Sequence, residues 1–317
     1  MKKIAFIIPY FGKFNNYFQL FLNSCKMNPT ITWIIFTNDK TDYQYPLNVK
    51  VLYIDFKKMQ QRIQSKFDFR VSIEKSYKLC DFRPAYGYIF EDYLKDYDYW
   101  GYCDCDLIWG NIRKFVNDDI LNNYDKIGIY GHCSIFKNTY EINRIFMSPL
   151  NGEAIYKNVF RENKNHSFDE EFNNSINNIF MANGLRVFEK LKIANIYMKS
   201  SIFRLVNMNS EHIYEVEPRV RGFFLWDKGK LERYYVKENK IKKEEFLYIH
   251  MQSRKMKNEV NDKRFKIIPN SFENIEKYPI EYENFNKIKI YHFNMHYLKL
   301  RCKNLIIKCK VSWSFVE

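Results

Sequence analysis

The feature that most constrains this chain is a series of short, mostly apolar runs separated by helical patterns. Ile4 to Ile8 is one run and leads into Pro9-Tyr10-Phe11-Gly12. Thr32 to Phe36 is a second and ends in Thr37-Asn38-Asp39, and Val49 to Ile54 is a third. A strand wetted on one face alternates apolar and polar residues, so runs without alternation belong to strands covered on both faces. Tyr17 to Ser24 reads as a helix between the first two runs. A helix at about Tyr86 to Tyr93 precedes the strand-like Tyr99-Trp100-Gly101-Tyr102. Strands alternating with helices predict an α/β fold built on a parallel sheet. Further along, residues 126 to 136 read as a strand running into Gly131-His132-Cys133-Ser134. Residues 168 to 190 read as a helix, and Phe223 to Leu231 as a hairpin turning at Gly229.

With 317 residues, 46% of them hydrophobic, the chain can bury a sizeable core, which excludes a small peptide module and a disordered chain. Only five Ala stand against 28 Phe and 25 Tyr, a bias of the kind an AT-rich coding genome produces. The net charge of +14 calls for an anionic partner, and nucleic acid, an anionic membrane or a phosphorylated small molecule all qualify. Its location narrows the choice. From residue 284 onward, Lys287, Lys289, Lys299, Arg301, Lys303, Lys308 and Lys310 face one acid, Glu317, so the tail holds +6 of the excess. No internal repeat and no linker is visible before about residue 260. The expected organisation is therefore a main domain over 1–260 and a basic helical extension over 261–317.

The seven cysteines include no CxxC pair, which argues against a disulfide framework or a structural zinc site and for a reducing, cytoplasmic setting. The N-terminal MKKIAFIIPYF imitates a signal peptide, but it lacks a small-residue cleavage site and contains Pro9, so a buried first strand is the better reading. No apolar stretch reaches the length of about 18 residues that a membrane-spanning helix needs.

Four segments could carry chemistry. Asp104-Cys105-Asp106 follows an apolar approach; in extended backbone, alternate residues point the same way, so its two carboxylates can converge on a hard divalent cation. The same triplet also serves as a solvated turn. His250, at the end of Tyr248-Ile249-His250, could add an imidazole ligand, while Lys255, with Arg254 or Lys257, neutralises a diphosphate. A partly buried histidine beside a basic loop is the alternative. In Lys78-Leu79-Cys80-Asp81-Phe82-Arg83-Pro84, a guanidinium could clamp a phosphate or a sugar, or Asp81 could cap a helix with Pro84 in its first turn. Phe168-Asp169-Glu170-Glu171-Phe172 puts acids at a helix start, where the helix dipole favours them. The functional alternative sets Asp169 on sugar hydroxyls and Glu170 beside a reacting carbon.

Taken in order, Ile7 to Gly12, Phe36 to Asp39, Lys78 to Pro84, Asp104-Cys105-Asp106, Phe168-Asp169-Glu170 and His250 to Lys255 resemble the GT-A nucleotide-sugar glycosyltransferases. More narrowly, they resemble the bacterial capsular-polysaccharide enzymes related to retaining α-galactosyltransferases, over about residues 1 to 260. The resemblance implies a GT-A (Rossmann-like) α/β fold, with a mixed, mainly parallel sheet flanked by helices. It implies a UDP-sugar donor carrying galactose or glucose, bound near Pro9, Tyr10, Gly12, Thr37 and Asn38, with Lys78, Arg83, Cys105 and Lys255 also on the donor side. Mn²⁺ or Mg²⁺ would bridge Asp104, Asp106, His250 and the diphosphate. Asp169 and Glu170 would be the catalytic pair, and His132 and Ser134 would face the acceptor.

A helical tail would align Tyr291, Met295, Leu298, Cys302, Leu305, Cys309 and Trp313 in one apolar stripe flanked by cations, the layout of a helix lying on an anionic membrane surface. That suits a lipid-linked oligosaccharide as acceptor and a place at the inner face of the bacterial membrane. The same stripe could instead pack on the protein's own core or on a second copy in a homo-oligomer. Two other classes compete. A metal-dependent phosphodiesterase or nuclease would need more converging carboxylates than these segments offer. A non-catalytic nucleic-acid-binding protein would spread its cations over a face rather than gather them in a tail, so no nucleic-acid partner is expected.

Overall fold

The computed structural model describes residues 1–317 except 201, 210–212, 261–262, 277–278, 290–297, 300–301, 303–304 and 307–317. The chain divides into two compact units, one of residues 1–107 and 111–191, the other of 108–110 and 192–317.

The strands, in chain order, are β1 (Ile4–Tyr10), β2 (Ile31–Thr37), β3 (Val49–Tyr53), β4 (Tyr99–Cys103), β5 (Leu107–Trp109), β6 (Lys126–Ile127), β7 (Cys133–Lys137), β8 (Val187–Phe188) and β9 (Ala194–Asn195). In the first unit, seven of them form a sheet in the order β3-β2-β1-β4-β7-β6-β8. The pairs β3/β2, β2/β1, β1/β4 and β6/β8 are parallel, and only β7 runs against its neighbours. This is the α/β arrangement that the motif order implies, mixed but mainly parallel and flanked by helices such as Phe18–Lys26 and Phe56–Gln64. The first two apolar runs are buried on both faces as expected, whereas in β3 only Val49 is buried and Lys50 and Tyr53 are exposed. Ala5, Ile7, Ile34 and Phe36 alternate onto a face covered by Phe82, Ile89, Phe160 and Phe180. The opposite face stacks Phe6 on Trp33 at 5.8 Å. Because β1, β2 and β4 are parallel, Tyr10, Thr37 and Cys103 end at one edge of the sheet, where open α/β sheets hold ligands.

Several expectations need correction. Residues 126 to 136 are not one strand. Gly128 takes φ +86°, and the chain reverses through Gly131 and His132 before β7 pairs antiparallel with β6. The helix expected over Tyr86–Tyr93 is broken into Tyr86–Ile89 and a single 3₁₀ turn, Glu91–Tyr93. The helix expected over 168–190 is confined to Ile176–Ala182. It starts at the capping box of Ser175 and Asn178, so the acids at 169–171 lie in a turn upstream of it, bracketed by Ser167 and Asn174 at positive φ.

The second unit continues with β10 (Val206–Met208), β11 (Tyr214–Val216), β12 (Gly222–Asp227), β13 (Lys230–Lys237), β14 (Lys240–Glu245), β15 (Tyr248–His250), β16 (Lys257–Asn258), β17 (Arg264–Ile268) and β18 (Ser271–Asn274). Its six-stranded sheet has the order β14-β13-β12-β17-β18-β16, and β15 lies between β5 and β9 in a second, three-stranded sheet. The expected hairpin is β12/β13. Its two turn residues, Lys228 and Gly229, both adopt positive φ, the type I′ geometry whose twist matches paired strands.

The boundary expected at residue 260 does not hold. β17 and β18 are strands of the second unit's sheet, and the helix Tyr282–Ile288 buries Phe285 and Ile288 against Phe223, Leu225 and Ile268. Most of the tail beyond Lys289, including Tyr291, Met295, Arg301, Lys303, Lys308, Cys309, Lys310 and Trp313, lies outside the described residues. No helix among the described residues is long and apolar enough to cross a membrane.

Candidate active site

At the strand-end edge of the first unit, Asp104 follows β4 directly, and its amide donates to the His132 carbonyl at 2.9 Å. This bond ties the Asp-x-Asp segment to the reversal between β6 and β7. Asp104 and Asp106 each bring a carboxylate oxygen to within 4.8 Å of the other, a spacing that two ligands of one ion can adopt. Cys105 turns inward: its thiol is buried and its carbonyl accepts from Asn15 Nδ2 at 3.1 Å.

Arg83 organises the acids. Its Nη1 donates to the Gly131 carbonyl at 2.6 Å and to Asp169 Oδ2 at 2.9 Å, and its Nη2 donates to Asp104 Oδ1. The guanidinium is thus directed at carboxylates from two distant segments rather than left open for a phosphate. Burial pushes Asp169 up to about 7, against the opposing pull of Arg83. Burial likewise raises Glu170, which is only half-buried, and takes Glu171 to about 8. Gly131 packs closely on these acids: a Cβ there would meet Glu170 Cγ at 2.6 Å and Asp169 Oδ2 at 3.1 Å.

Lys78, expected on the donor side, is placed elsewhere. It is 1% exposed, and its ammonium donates to Asp81 Oδ2 at 2.8 Å and to the carbonyls of Val159 and Lys164 at 2.8 and 2.6 Å. Asp81 lies within the short helix Leu79–Phe82 and is not its cap. Its oxygens accept the amides of His166 and Phe168. The pair therefore anchors the loop that delivers Asp169 and Glu170. Ser134, expected to face the acceptor, is fully buried, where Lys126 Nζ donates to its hydroxyl at 3.1 Å. His132 is nearly buried, with its ring stacked on Tyr130 at 5.2 Å.

Two organising groups of this unit escaped the sequence reading. Lys126 is wholly buried, and burial lowers it to about 7. It donates to Asn177 Oδ1 at 2.8 Å, and Asn177 Nδ2 in turn holds the Glu170 carbonyl at 2.9 Å. A lysine inside a strand gives no local signal of that role; only the partners reveal it. Asp39 is the other, and its place in Thr37-Asn38-Asp39 after a strand was its only signal. Burial works against its charge, but bonds from Lys13, Thr41 and the Phe14 amide prevail and hold it well below the usual carboxylate range. It fixes the loop after β1, where the Gly12 amide donates to Asn38 Oδ1 at 2.9 Å and Tyr10 stacks on Phe14. Thr37 is buried, with its hydroxyl accepting the Asp39 amide at 3.1 Å. Burial, followed by Cys105, Asp106 and Asp39, pushes the Tyr10 phenol up to about 12.

In the second unit, His250 ends β15 and is buried, with Nδ1 3.1 Å from Asn195 Oδ1. That oxygen also accepts from Gln252 Nε2 at 2.8 Å. An amide oxygen only accepts, so the proton sits on Nδ1 and Nε2 keeps its lone pair, the tautomer a metal-binding histidine requires. Asn195 was not legible as this partner from the sequence. Gln252 and Ser253 follow in left-handed turn conformation, and Lys255 is exposed beyond them. Arg254 is interior, bound to the carbonyls of Pro269 and Ser200, and Lys257 pairs with Glu259.

The sheet is mixed and mainly parallel, with an Asp-x-Asp turn at its strand ends, the edge where open α/β sheets hold ligands. The chain belongs to the family described as "Family of unknown function (DUF6625)", which it matches over residues 6–276. No curated protein matches it. Among solved structures it is similar to mouse xyloside xylosyltransferase 1 in its apo form, at 10% identity and a TM-score of 0.39, over 62% of this chain and 88% of that one. It is also similar to the galactosyltransferase LgtC in complex with donor and acceptor sugar analogs, at 10% identity and a TM-score of 0.32, over 61% of this chain and 75% of that one.

Proposed function

We propose that the protein is a metal-dependent glycosyltransferase that moves galactose or glucose from a UDP-sugar to a lipid-linked oligosaccharide in capsular or other surface polysaccharide synthesis, with retention of configuration. The observation that carries this reading is the Arg83 guanidinium shared by Asp104 and Asp169, which sets the Asp-x-Asp turn and the half-buried Glu170 at one sheet edge.

The donor set suits a hard cation: Asp104 and Asp106 offer carboxylate oxygens, and His250 offers an imidazole nitrogen with its tautomer fixed by Asn195. Bound there, Mn²⁺ or Mg²⁺ would neutralise charge on the donor diphosphate. Lys255, exposed past the turn, would meet a phosphate. Pro9, Tyr10, Gly12, Thr37 and Asn38 would line the place of the uridine. Arg83 and the Lys78–Asp81 pair hold Asp169 and Glu170 in position, and the Glu170 carboxylate would stabilise positive charge developing at the anomeric carbon. Under retention, the acceptor hydroxyl attacks on the leaving-group face and gives its proton to the departing phosphate oxygen. A covalent route instead forms a glycosyl ester on Glu170 before the acceptor attacks.

The test is UDP release from UDP-galactose and from UDP-glucose, with and without Mn²⁺, in the wild type and Asp106→Ala. Metal-dependent release from one donor, lowered about 100- to 1000-fold in the variant, is expected from losing several kcal/mol of charge stabilisation. Release that ignores both metal and substitution would overturn the reading. We also propose that the tail binds an anionic membrane. Truncation after Lys289 spares the packed helix Tyr282–Ile288, so it should abolish binding to phosphatidylglycerol vesicles and leave UDP release intact.

A further inference from the structure

Neither of the two loops that meet at the acids is regular structure. The reversal 128–132 opens at Gly128 with positive φ, and the acidic turn lies between Ser167 and Asn174, both at positive φ. Such loops have no ladder of their own, so side chains must pair their carbonyls. Two side chains join the loops to each other. Arg83 bonds the Gly131 carbonyl and the Asp169 carboxylate from the partly wet side. From the interior, Asn177 uses the two hydrogens of Nδ2 on the carbonyls of Ile129 and Glu170, each at 2.9 Å. Its Oδ1 accepts from Lys126 Nζ at 2.8 Å, and that nitrogen also donates to the Gly128 carbonyl and, at 3.1 Å, to the Ser134 hydroxyl. An amide turned end for end would set Nδ2 against a donor and Oδ1 against two carbonyls, so Lys126 fixes which way Asn177 points. Lys126 and Ser134 are fully buried and Asn177 nearly so. Asn177 also stands in the first turn of the helix Ile176–Ala182, directly after the capping box of Ser175 and Asn178 begins.

Resting on the glycosyl-transfer reading, we infer that Asn177, oriented by Lys126, is the positioning residue of Glu170. It ties the backbone of the acidic turn to the reversal and leaves the Glu170 carboxylate out of the clamp, so that this carboxylate meets the anomeric carbon at a set place. The Tyr102 hydroxyl holds the neighbouring Asp169 carbonyl at 3.2 Å, but Asn177 holds both loops at once. Its contacts with the turn are to a backbone carbonyl, so it acts through position and not through the charge of the acids. The uridine is assigned to the loops after β1 and β2, which the clamp does not touch. Loss of the clamp should therefore appear in kcat for the donor rather than in KM.

The test compares the full-chain wild type with Asn177→Leu, which matches the amide in size without its hydrogen bonds, and with Lys126→Met, which frees the amide to turn. UDP release from UDP-galactose and UDP-glucose is measured per folded molecule, together with hydrogen exchange. In Asn177→Leu, kcat should fall about 10- to 100-fold, the cost of a misplaced reacting group, while the donor KM stays within about threefold. Lys126→Met should shift kcat in the same direction by less. Peptides covering 128–133 and 168–174 should both exchange about tenfold faster in Asn177→Leu, since one clamp protects both. An unchanged kcat, or a loss carried by KM, overturns the positioning role. Faster exchange in one loop alone, or in neither, overturns the clamp itself. Where Asn177→Leu does not fold, Asn177→Ala, whose smaller side chain admits water to the two carbonyls, carries the same expectations. A wild type that releases no UDP from either donor, while the loops still loosen together in the variant, sinks glycosyl transfer and leaves the clamp standing.

Discussion

Two charge clusters begin five residues apart, at Lys78 and at Arg83, and exposure separates their uses. Lys78 and Asp81 are each 1% exposed, and the ammonium meets three acceptors while the carboxylate takes two amides. That network is closed, and a closed network fixes backbone. Arg83 instead bridges acids from two segments, and Asp104 keeps 30% of its side chain in water. Glu170 stands half-buried beside it. An ion pair with one wet member can exchange partners when a cation or substrate arrives; a fully desolvated one cannot do so without losing its fold.

The largest effects should fall on the two cations and in opposite measures. Lys78→Met leaves Asp81 buried without its partner and should lower unfolding free energy in urea by about 3–5 kcal/mol. UDP release by the remaining folded protein should stay within about tenfold of wild type. Arg83→Met should reduce UDP release about 100- to 1000-fold, the order seen when a preorganised charge is removed from a site. Its stability loss should be less than about 2 kcal/mol, because Asp169 can take up a proton. The contrast breaks if Lys78→Met abolishes release while stability barely moves.

Titration gives a sharper test of the open cluster. Burial pushes Asp169 up to about 7 despite Arg83, whereas an aspartate in the unfolded chain titrates near about 3.9. The folded state therefore disfavours the charged form, and the contribution of Asp169 to stability is full below about pH 4 and declines as pH rises towards 7. Asp169→Asn should remove that decline, so the difference between variant and wild type grows between pH 4 and 7. Parallel profiles would show that Arg83, not burial, governs the group. The smallest effect is expected from Gly131→Ala, whose Cβ overlaps Glu170 Cγ. A displacement of that flexible carboxylate should cost about 1 kcal/mol of stability, the low end for overpacking, and reduce UDP release about tenfold. Unchanged release would remove Glu170 from the reaction.

β1 and β2 were legible because burial on both faces leaves a local mark, the unbroken apolar run, whereas β3 carries Lys50 and buries only Val49. The Asp-x-Asp turn was legible for the same reason, since it follows such a strand directly. The reversal at 128–132 was not, because Ile127 and Ile129 look alike in sequence and only the positive φ of Gly128 separates strand from turn. The acids at 169–171 read as a helix start because a dipole favours carboxylates there, but Ser175 supplies the cap several residues later. Lys78 read as a phosphate ligand because a lysine's sequence context does not reveal whether its ammonium faces water or three carbonyls.

The sequence by itself determined the α/β alternation, the order of chemistry-bearing segments and the Asp-x-Asp turn at a strand end, because each depends on residues within a few positions of one another. Only the tertiary structure decided which cation locks a loop and which gathers the acids, that Asn195 fixes the tautomer of His250, and that the second unit begins near residue 192 rather than 260. Those outcomes depend on desolvation and on partners 50 to 90 positions away, as between Arg83 and Asp169 or His250 and Asn195, and burial of a polar group is settled only by what the folded chain places around it.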